Sequence, residues 1–566
     1  MPKDITTLPP DKLLEEIPNT NETWFIENMT LFAGDHWMNA AGWVGPQLDK
    51  KDPGASQMME DIKRAFVSKN VVREIVSRHV AGVLGNDPIW KVTSDMLENA
   101  DPPEDPPEGG EPEEITPSPL EVEAEEIIRA WWDGSQGLVA GEEALSSPLT
   151  VIKSAIERAL LTDRGPLRLF IPSKFLTEVS TEATDEKGAA RETAVIETSE
   201  PGETLKKIFL LGPEADQATV GLDNNAMTQY GIYLIDADDP DTAEIEGVGH
   251  TGEIVFVDED EMTHIRIIEA DYDPKGEFDE IKIEMGGKLT MFEIQVPRLV
   301  SDSVRQLQKQ LNMILTMMGR NVVQAGFLER ILLNAQLPGV TQLNEVTGEE
   351  DFIPDDLELG PGATAFIQGV TYQDADGDEH IADPKVVYRN PVETKTFIES
   401  REEIYRQILE EAKQSHILTV GEANLSGKSR MESRFDYEAS LEDTQHEVEQ
   451  ALTWVFETVL KMVGIFSGTP DMFNSLNVSV QTELNLGRPG PDEVKMVIDK
   501  VDAKLQSRRA GMSELGTKDV ETEEAQIEKE QLKSTQDRFT SLASAIQETR
   551  GKFDAGNPDL DEEGDE

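Results

Sequence analysis

The sequence holds no cysteine, which excludes disulfides, thiolate metal centres and cysteine nucleophiles. Histidine is scarce as well. The seven residues His36, His79, His250, His264, His380, His416 and His446 are scattered, and no two stand close enough for a His-x-x-x-His ligand pair, so zinc chemistry has little to build on. No apolar run reaches the roughly 18 residues of a membrane-spanning helix. The opening residues Met1, Pro2, Lys3 and Asp4 lack the apolar core of a signal peptide, so the expectation is a protein made and kept in the cytoplasm, with no membrane partner.

Positive charge is the other shortage. Lys and Arg number 51 against 112 Asp and Glu, a net charge of −61. That balance argues against a continuous basic groove gripping nucleic acid by neutralising its phosphates. It suits a protein past which a polyanion slides without sticking, and it equally suits plain solubility or adaptation to high salt. With 38% hydrophobic and 29% charged residues in 566, most of the chain can bury a core, and length alone suggests about three or four domains.

From Leu8 to about Val92 the pattern is helical, with a tryptophan-bearing loop, Gly34-Asp35-His36-Trp37 and Gly42-Trp43-Val44-Gly45-Pro46, between two amphipathic segments. In the second, Ile62, Phe66, Val71, Ile75, His79 and Val83 form one stripe, which predicts a core helix. Proline pairs and like charges from Asn99 to Pro119 exclude packed structure and predict a disordered surface loop. A second polar, acidic stretch covers 177–204, and helical segments are expected around 127–132 and 151–161. Short alternating runs from Leu167 to Val296, separated by Gly, Asp and Pro clusters, predict antiparallel strands.

The period changes after Pro297. Val300, Val304, Leu307, Leu311, Leu315, Met318 and Val322 recur every three or four residues and predict a helix of about eight turns. Its other face carries Arg298, Arg305, Lys309 and Arg320, either a solvated face or a contact for DNA. Residues 326–390 return to short strands, with Asp376-Gly377 as a hairpin signal, and suggest a compact α/β insertion. Pro391 starts a second long helix, with Phe397, Ile404, Ile408 and Ala412 on one face; residues 419–430 break it at Gly421 and Gly427. A third helix carries Tyr437, Leu441, Val448, Leu452, Val455, Val459 and Val463. After a strand at 478–486 the tail is helical and polar from Pro491 to about Thr549, and its last residues are acidic.

Three motifs point to chemistry that their context does not support. Gly247-Val248-Gly249-His250-Thr251-Gly252 has dinucleotide-loop spacing, but a strand-like run follows where a helix should receive the pyrophosphate. Gly421 to Ser429 resembles a phosphate-cradling loop with one residue too many, which misdirects its amides. Asp374-Ala375-Asp376-Gly377-Asp378 opens like a calcium loop, yet Glu379 and Lys385 occupy the places of its glycine and closing glutamate. No Ser/His/Asp grouping or isolated carboxylate pair stands out, so no catalytic residue, metal site or cofactor is expected, and the chain reads as no enzyme.

Several stretches resemble portal proteins of long-tailed bacteriophages. Gly34-Asp35-His36-Trp37 is similar to that family's N-terminal element. Asn70 to Pro88, an Asn-Val-hydrophobic helix ending in Leu84-Gly85-Asn86-Asp87-Pro88, is similar to another of its segments, and Asn424-Leu425-Ser426-Gly427-Lys428-Ser429-Arg430 resembles its step after the second stem helix. The order of long helix, insertion, long helix, glycine-bearing loop, long helix and polar tail also matches. The proline-rich loop at 99–119 and the acidic stretch at 177–204 depart from the family as insertions, and 428–430 lacks its usual alanine.

The resemblance implies an α+β portal fold. A mixed α/β wing would span 1–296, a stem helix 297–325, a small α/β clip 326–390, a second stem helix 391–416 and a tunnel loop 417–434. The wing would be completed by 435–485, with a helical crown and acidic tail at 486–566. It further implies a dodecameric ring at one capsid vertex of the virion, assembled in the host cytoplasm. The implied partners are the large terminase subunit, the head-tail adaptor, scaffold and major capsid protein, and double-stranded DNA transiently in the lumen. Lys428, Arg430 and Arg434 would face DNA from the tunnel loop, or form salt bridges to neighbouring subunits through Glu422 or Glu432; Arg305, Lys309 and Arg320 would form the basic face of the stem. Acidic subunits would surround the duplex with a repelling wall. The composition also admits an acidic intracellular scaffold or adaptor without a channel, and a metal-dependent nuclease using Asp/Glu clusters.

Overall fold

The first core helix starts where the sequence supplies a cap. The computed structural model describes residues 5, 8–18, 22–37, 63–94, 118–134, 137–139, 146–172, 201–223, 228–236, 250–258, 261–268, 280–326, 330–336, 339–343, 350–354, 368–373, 376–388, 392–419, 427–485, 491–505, 507–514, 527 and 529. In it the Asn70 side chain accepts a hydrogen bond from the Arg73 amide at 2.9 Å, pairing one of the amides that a helix N-terminus leaves free. The helix is therefore Val71–Val83. Residues 66–70 are extended, so Phe66 does not share its stripe, and Ile62 lies outside the described residues.

Two helices precede it, α1 (Pro10–Glu16) and α2 (Thr23–Ala33), and the capped helix is α3 (Val71–Val83). The expected helical character does not reach Val92. After Pro88 the chain forms strand β1 (Ile89–Ser94), which pairs antiparallel with β19 (Leu476–Gln481), because Ile89, Trp90 and Val92 fit a pleated surface. Then come α4 (Pro119–Gly134), β2 (Gly137–Val139), α5 (Pro148–Thr162) and β3 (Arg164–Phe170). Helix α5 opens with Pro148 behind a Ser147 cap and closes at Asp163, whose φ is +66°.

After a single helical turn, α6 (Pro201–Thr204), strands β4 (Phe209–Gly212), β5 (Ala218–Asp223), β6 (Thr228–Asp236), β7 (His250–Val257), β8 (Thr263–Ile268), β9 (Glu280–Ile283) and β10 (Met291–Gln295) follow. They make a four-stranded sheet in the order β10-β3-β4-β2 and a five-stranded meander from β5 to β9. Every pairing is antiparallel except β2 with β4, which is parallel. Buried charge links the two sheets: Arg168 of β3 donates two bonds of 2.5 Å to Glu253 of β7. Nearby, burial holds the Glu293 carboxyl above its ordinary range despite Arg164 at 3.7 Å.

The largest apolar core joins α2, α3, α4, α5, β3, β10 and the long helices of the second half, with Trp131 and Phe456 fully buried. These helices are α7 (Asp302–Gly326), α8 (Thr394–Glu411) and α10 (Gly427–Phe466), with the short α9 (His416–Thr419) between the last two. The tail contributes α11 (Pro491–Asp502) and α12 (Arg508–Glu514). The expected continuous tail helix is interrupted after α11, where Lys504 has φ +57°.

The protein is thus α+β, as expected, and the described elements of the insertion between α7 and α8 are strands. They are β11 (Arg330–Leu333), β12 (Ala335–Gln336), β13 (Gly339–Leu343), β14 (Glu350–Pro354), β15 (Gln368–Gly369), β16 (Thr371–Gln373), β17 (Glu379–Ile381) and β18 (Lys385–Tyr388), in four two-stranded antiparallel ladders. The hairpin signal at Asp376-Gly377 joins β16 (Thr371–Gln373) to β17 (Glu379–Ile381), with Gly377 at φ +86°. The stretches at 99–117 and 177–200 lie outside the described residues.

Candidate functional site

Helices α7 and α8 run side by side. Their 25 and 18 residues give lengths of about 37 and 27 Å. The start of α7 and the end of α8 both contact α3, so the pair is antiparallel and carries the insertion at its far end. There one side chain clasps both strands of the chain: Asn321 donates to the Val392 carbonyl at 2.7 Å and accepts the Val392 amide at 2.8 Å.

The face that α7 buries differs from the stripe expected. Val304 and Leu311 are buried, Leu307 and Leu315 are half-buried and Val322 is exposed, while Gln308, Asn312 and Thr316 are buried. Spaced four residues apart, these three form a polar row. Gln308 Oε1 accepts the amides of Val71 and Val72 at 2.9 and 3.2 Å, and its Nε2 donates to the Lys69 carbonyl at 2.7 Å. Asn312 accepts the Lys69 amide at 3.2 Å, and Thr316 accepts the Val67 amide at 3.1 Å. The extended run before α3 is thereby held by main-chain groups, and the first amides of α3 receive partners.

The basic face of α7 neither faces solvent as a stripe nor stands open to DNA. Arg305 is buried, with its guanidinium 2.7 Å from Glu27 and 2.9 Å from Asp302, and Lys309 lies 2.7 Å from Glu27. Arg298 covers the Trp24 ring at 4.1 Å. Three of the four cations therefore dock against α2, and Arg320 is half-exposed. Taken together, α7 and α8 carry no net charge. Helix α7 has one acidic and three basic residues, and α8 five acidic and three basic. The exposed side of α8 is laced with pairs such as Arg406 with Glu403 at 2.8 Å and Glu410 at 3.0 Å.

Negative charge concentrates in the insertion, where residues 327–390 hold thirteen acidic and three basic residues. Among the described residues, no side chain between 322 and 403 is buried. Apolar strand residues are open instead: Val340 of β13 (Gly339–Leu343) is 62% exposed and its cross-strand partner Ile353 of β14 (Glu350–Pro354) is 52% exposed, while Ile381 is 71% exposed.

Of the expected tunnel loop at 417–434, residues 417–419 are helical and 420–426 lie outside the described residues. Helix α10 already begins at Gly427, so Lys428, Arg430 and Arg434 occupy the first turns of a 40-residue helix instead of a loop. Gly252 sits within strand β7, in no position to open a helix. Among the described residues, no group of three His, Asp or Glu side chains is arranged to hold a metal ion, and no helix is long and apolar enough to cross a membrane.

Sequence reasoning missed Gln308, Asn312 and Thr316, and also the cluster of Glu74, Arg78, Tyr405 and Gln414 around α3. The Tyr405 hydroxyl and Arg78 each donate to Glu74 Oε1 at 2.8 Å. Burial opposes ionisation of Glu74, but these bonds hold its carboxyl below the usual range, while burial and the Glu74 bond push Tyr405 up to about 12. His79 is buried, bonded to Thr444 at 3.0 Å, and burial lowers it to about 4, which makes it a neutral core histidine. The available signal was polar residues at four-residue spacing beside an apolar stripe. No protein-family profile matches the chain, and no curated protein matches it significantly.

Proposed function

We propose that the chain is a portal-type subunit of a tailed bacteriophage, assembling with copies of itself into a ring channel for DNA at one capsid vertex. The observation that carries this reading is the clasped pair α7 and α8, which holds out a β-rich insertion in which no described side chain is buried. An isolated two-stranded ladder is marginal in water, and open apolar strands with unpaired edges call for neighbours. Copies arranged around an axis supply them, with helix pairs as the wall and the insertions as the clip. The α+β body, the long α10 and the helical tail take the places of wing and crown.

The charge distribution gives this ring a direction. A neutral stem neither binds nor strongly repels the duplex, whereas the clip ring carries concentrated negative charge, and its field acts over a Debye length of about 8 to 10 Å. DNA would pass without a holding site, and the basic start of α10, with Lys428, Arg430 and Arg434, would offer weak phosphate contacts. The partners on this reading are the large terminase subunit, the head-tail adaptor, scaffold and major capsid protein, and the work is mechanical, with no reaction catalysed. Negative-stain microscopy of the purified protein tests it: rings with a central hole are expected, and monomers or fibres would instead favour an acidic scaffold or adaptor.

A further inference from the structure

Within helix α3, Arg78 bonds both to the chain just after α8 and to α10. The Arg78 guanidinium donates to Gln414 Oε1 and to Glu74 Oε1, both at 2.8 Å, and its main-chain carbonyl accepts the Tyr437 hydroxyl at 3.0 Å. Gln414 is fully buried just beyond α8, and its Nε2 donates to the Ile75 carbonyl at 2.8 Å. Lys413, at φ +57°, turns the chain to place it there. Glu74 in turn takes the Tyr405 hydroxyl of α8. On the α10 side the fit is close: a Cβ on Gly82 would come within 2.7 Å of the Tyr437 hydroxyl and 2.8 Å of a Leu441 methyl. His416, on α9, rests against the Tyr437 ring with centroids 4.4 Å apart.

We propose that Arg78 is the positioning residue that fixes α8 and α10 relative to each other at the two ends of the 420–426 connection. Its planar fork serves two acceptors from separate nitrogens, Gln414 just beyond α8 and Glu74 on its own helix, a spread that a compact lysine ammonium does not reproduce. Its carbonyl lies on the same turn as those contacts, so the α10 anchor and the α8 anchor share one rigid element. The inference goes beyond the portal reading and stands on the chain alone, whether or not rings form.

The absence of cysteine allows the test. Spin labels on Glu402→Cys in α8 and Asp443→Cys in α10, in full-length protein diluted with unlabelled chain, should give one narrow distance distribution. Arg78→Met should shift and broaden it, and Arg78→Lys should do so less, while a control pair within α10, Asp443→Cys with Glu447→Cys, stays unchanged. Trypsin cleavage after the exposed Lys413 should accelerate about tenfold, as expected for loss of a charge-assisted bond, with cleavage elsewhere unaltered. Tyr437→Phe keeps the ring on His416 and removes only the bond to the Arg78 carbonyl; it should broaden the same distribution to a smaller degree, and it serves if Arg78→Met fails to fold. Unchanged α8–α10 distances, or cleavage that rises equally at every site, would overturn the proposal.

Discussion

The body and the insertion solve the same problem in opposite ways. In the body, Trp90, Trp132 and Phe456 pack with ring centroids 5.2 to 6.3 Å apart, and one continuous core reaches from α2 to β19. The insertion has strands of comparable regularity but no described side chain that is buried. Hydrogen-bonded ladders give it shape, while its described side chains contribute none of the apolar burial that dominates folding. On the proposed reading the body is self-sufficient and the insertion is completed by neighbouring copies.

The contrast breaks most readily with substitutions on its two sides. Phe456→Ala should lower the unfolding free energy by about 3 to 5 kcal/mol, measured by urea titration, because a fully buried ring leaves a cavity that α4 and β1 cannot close. A loss below about 1 kcal/mol would place the core elsewhere. Gln308→Leu should cost about 1 to 3 kcal/mol, since it leaves the Val72 amide without its acceptor and removes one of two partners from the Val71 amide and the Lys69 carbonyl. Amide exchange should then rise at the start of α3 before it rises in α5. Uniform exchange would mean that the polar row is incidental.

Smaller effects sharpen the charge side of the contrast. Lys428→Glu combined with Arg430→Glu should impair retention of packaged DNA and leave assembly intact; unchanged packaging would remove these residues from any role at the duplex. Glu74 gives a pH test. Its folded carboxyl sits below the ordinary range, so its contribution is complete above the unfolded value and is lost as pH falls through the depressed folded one. Glu74→Gln should flatten the acid limb of the stability profile, read from melting temperatures across pH; an unaltered limb would contradict it.

Much of the body was legible from periodicity. The stripes of α8 and α10 and the alternation of β3, β6, β7 and β8 require only local pattern, and the hairpin at Asp376-Gly377 follows from turn chemistry. Strand β5 escaped notice because Ala218-Thr219-Val220-Gly221-Leu222-Asp223 carries weak strand propensity; its place is set by pairing with β6. The site was less legible. Gln308 and Lys309 act on residues 237 and 282 positions away, and nothing local distinguishes a cation that docks α2 from one that meets DNA. Total charge misled for a related reason: the sum of −61 does not show that α7 and α8 together are neutral while the insertion between them is acidic.

The most direct test uses sedimentation of the purified chain beside a Val340→Lys, Ile353→Lys variant, both changes lying on one exposed cross-strand pair. The parent is expected to sediment as a closed ring of many copies, and the variant as smaller species with the parent's melting temperature. A monomeric parent, or a variant that forms the same rings, would contradict an insertion that depends on its neighbours, and with it the channel built from α7 and α8.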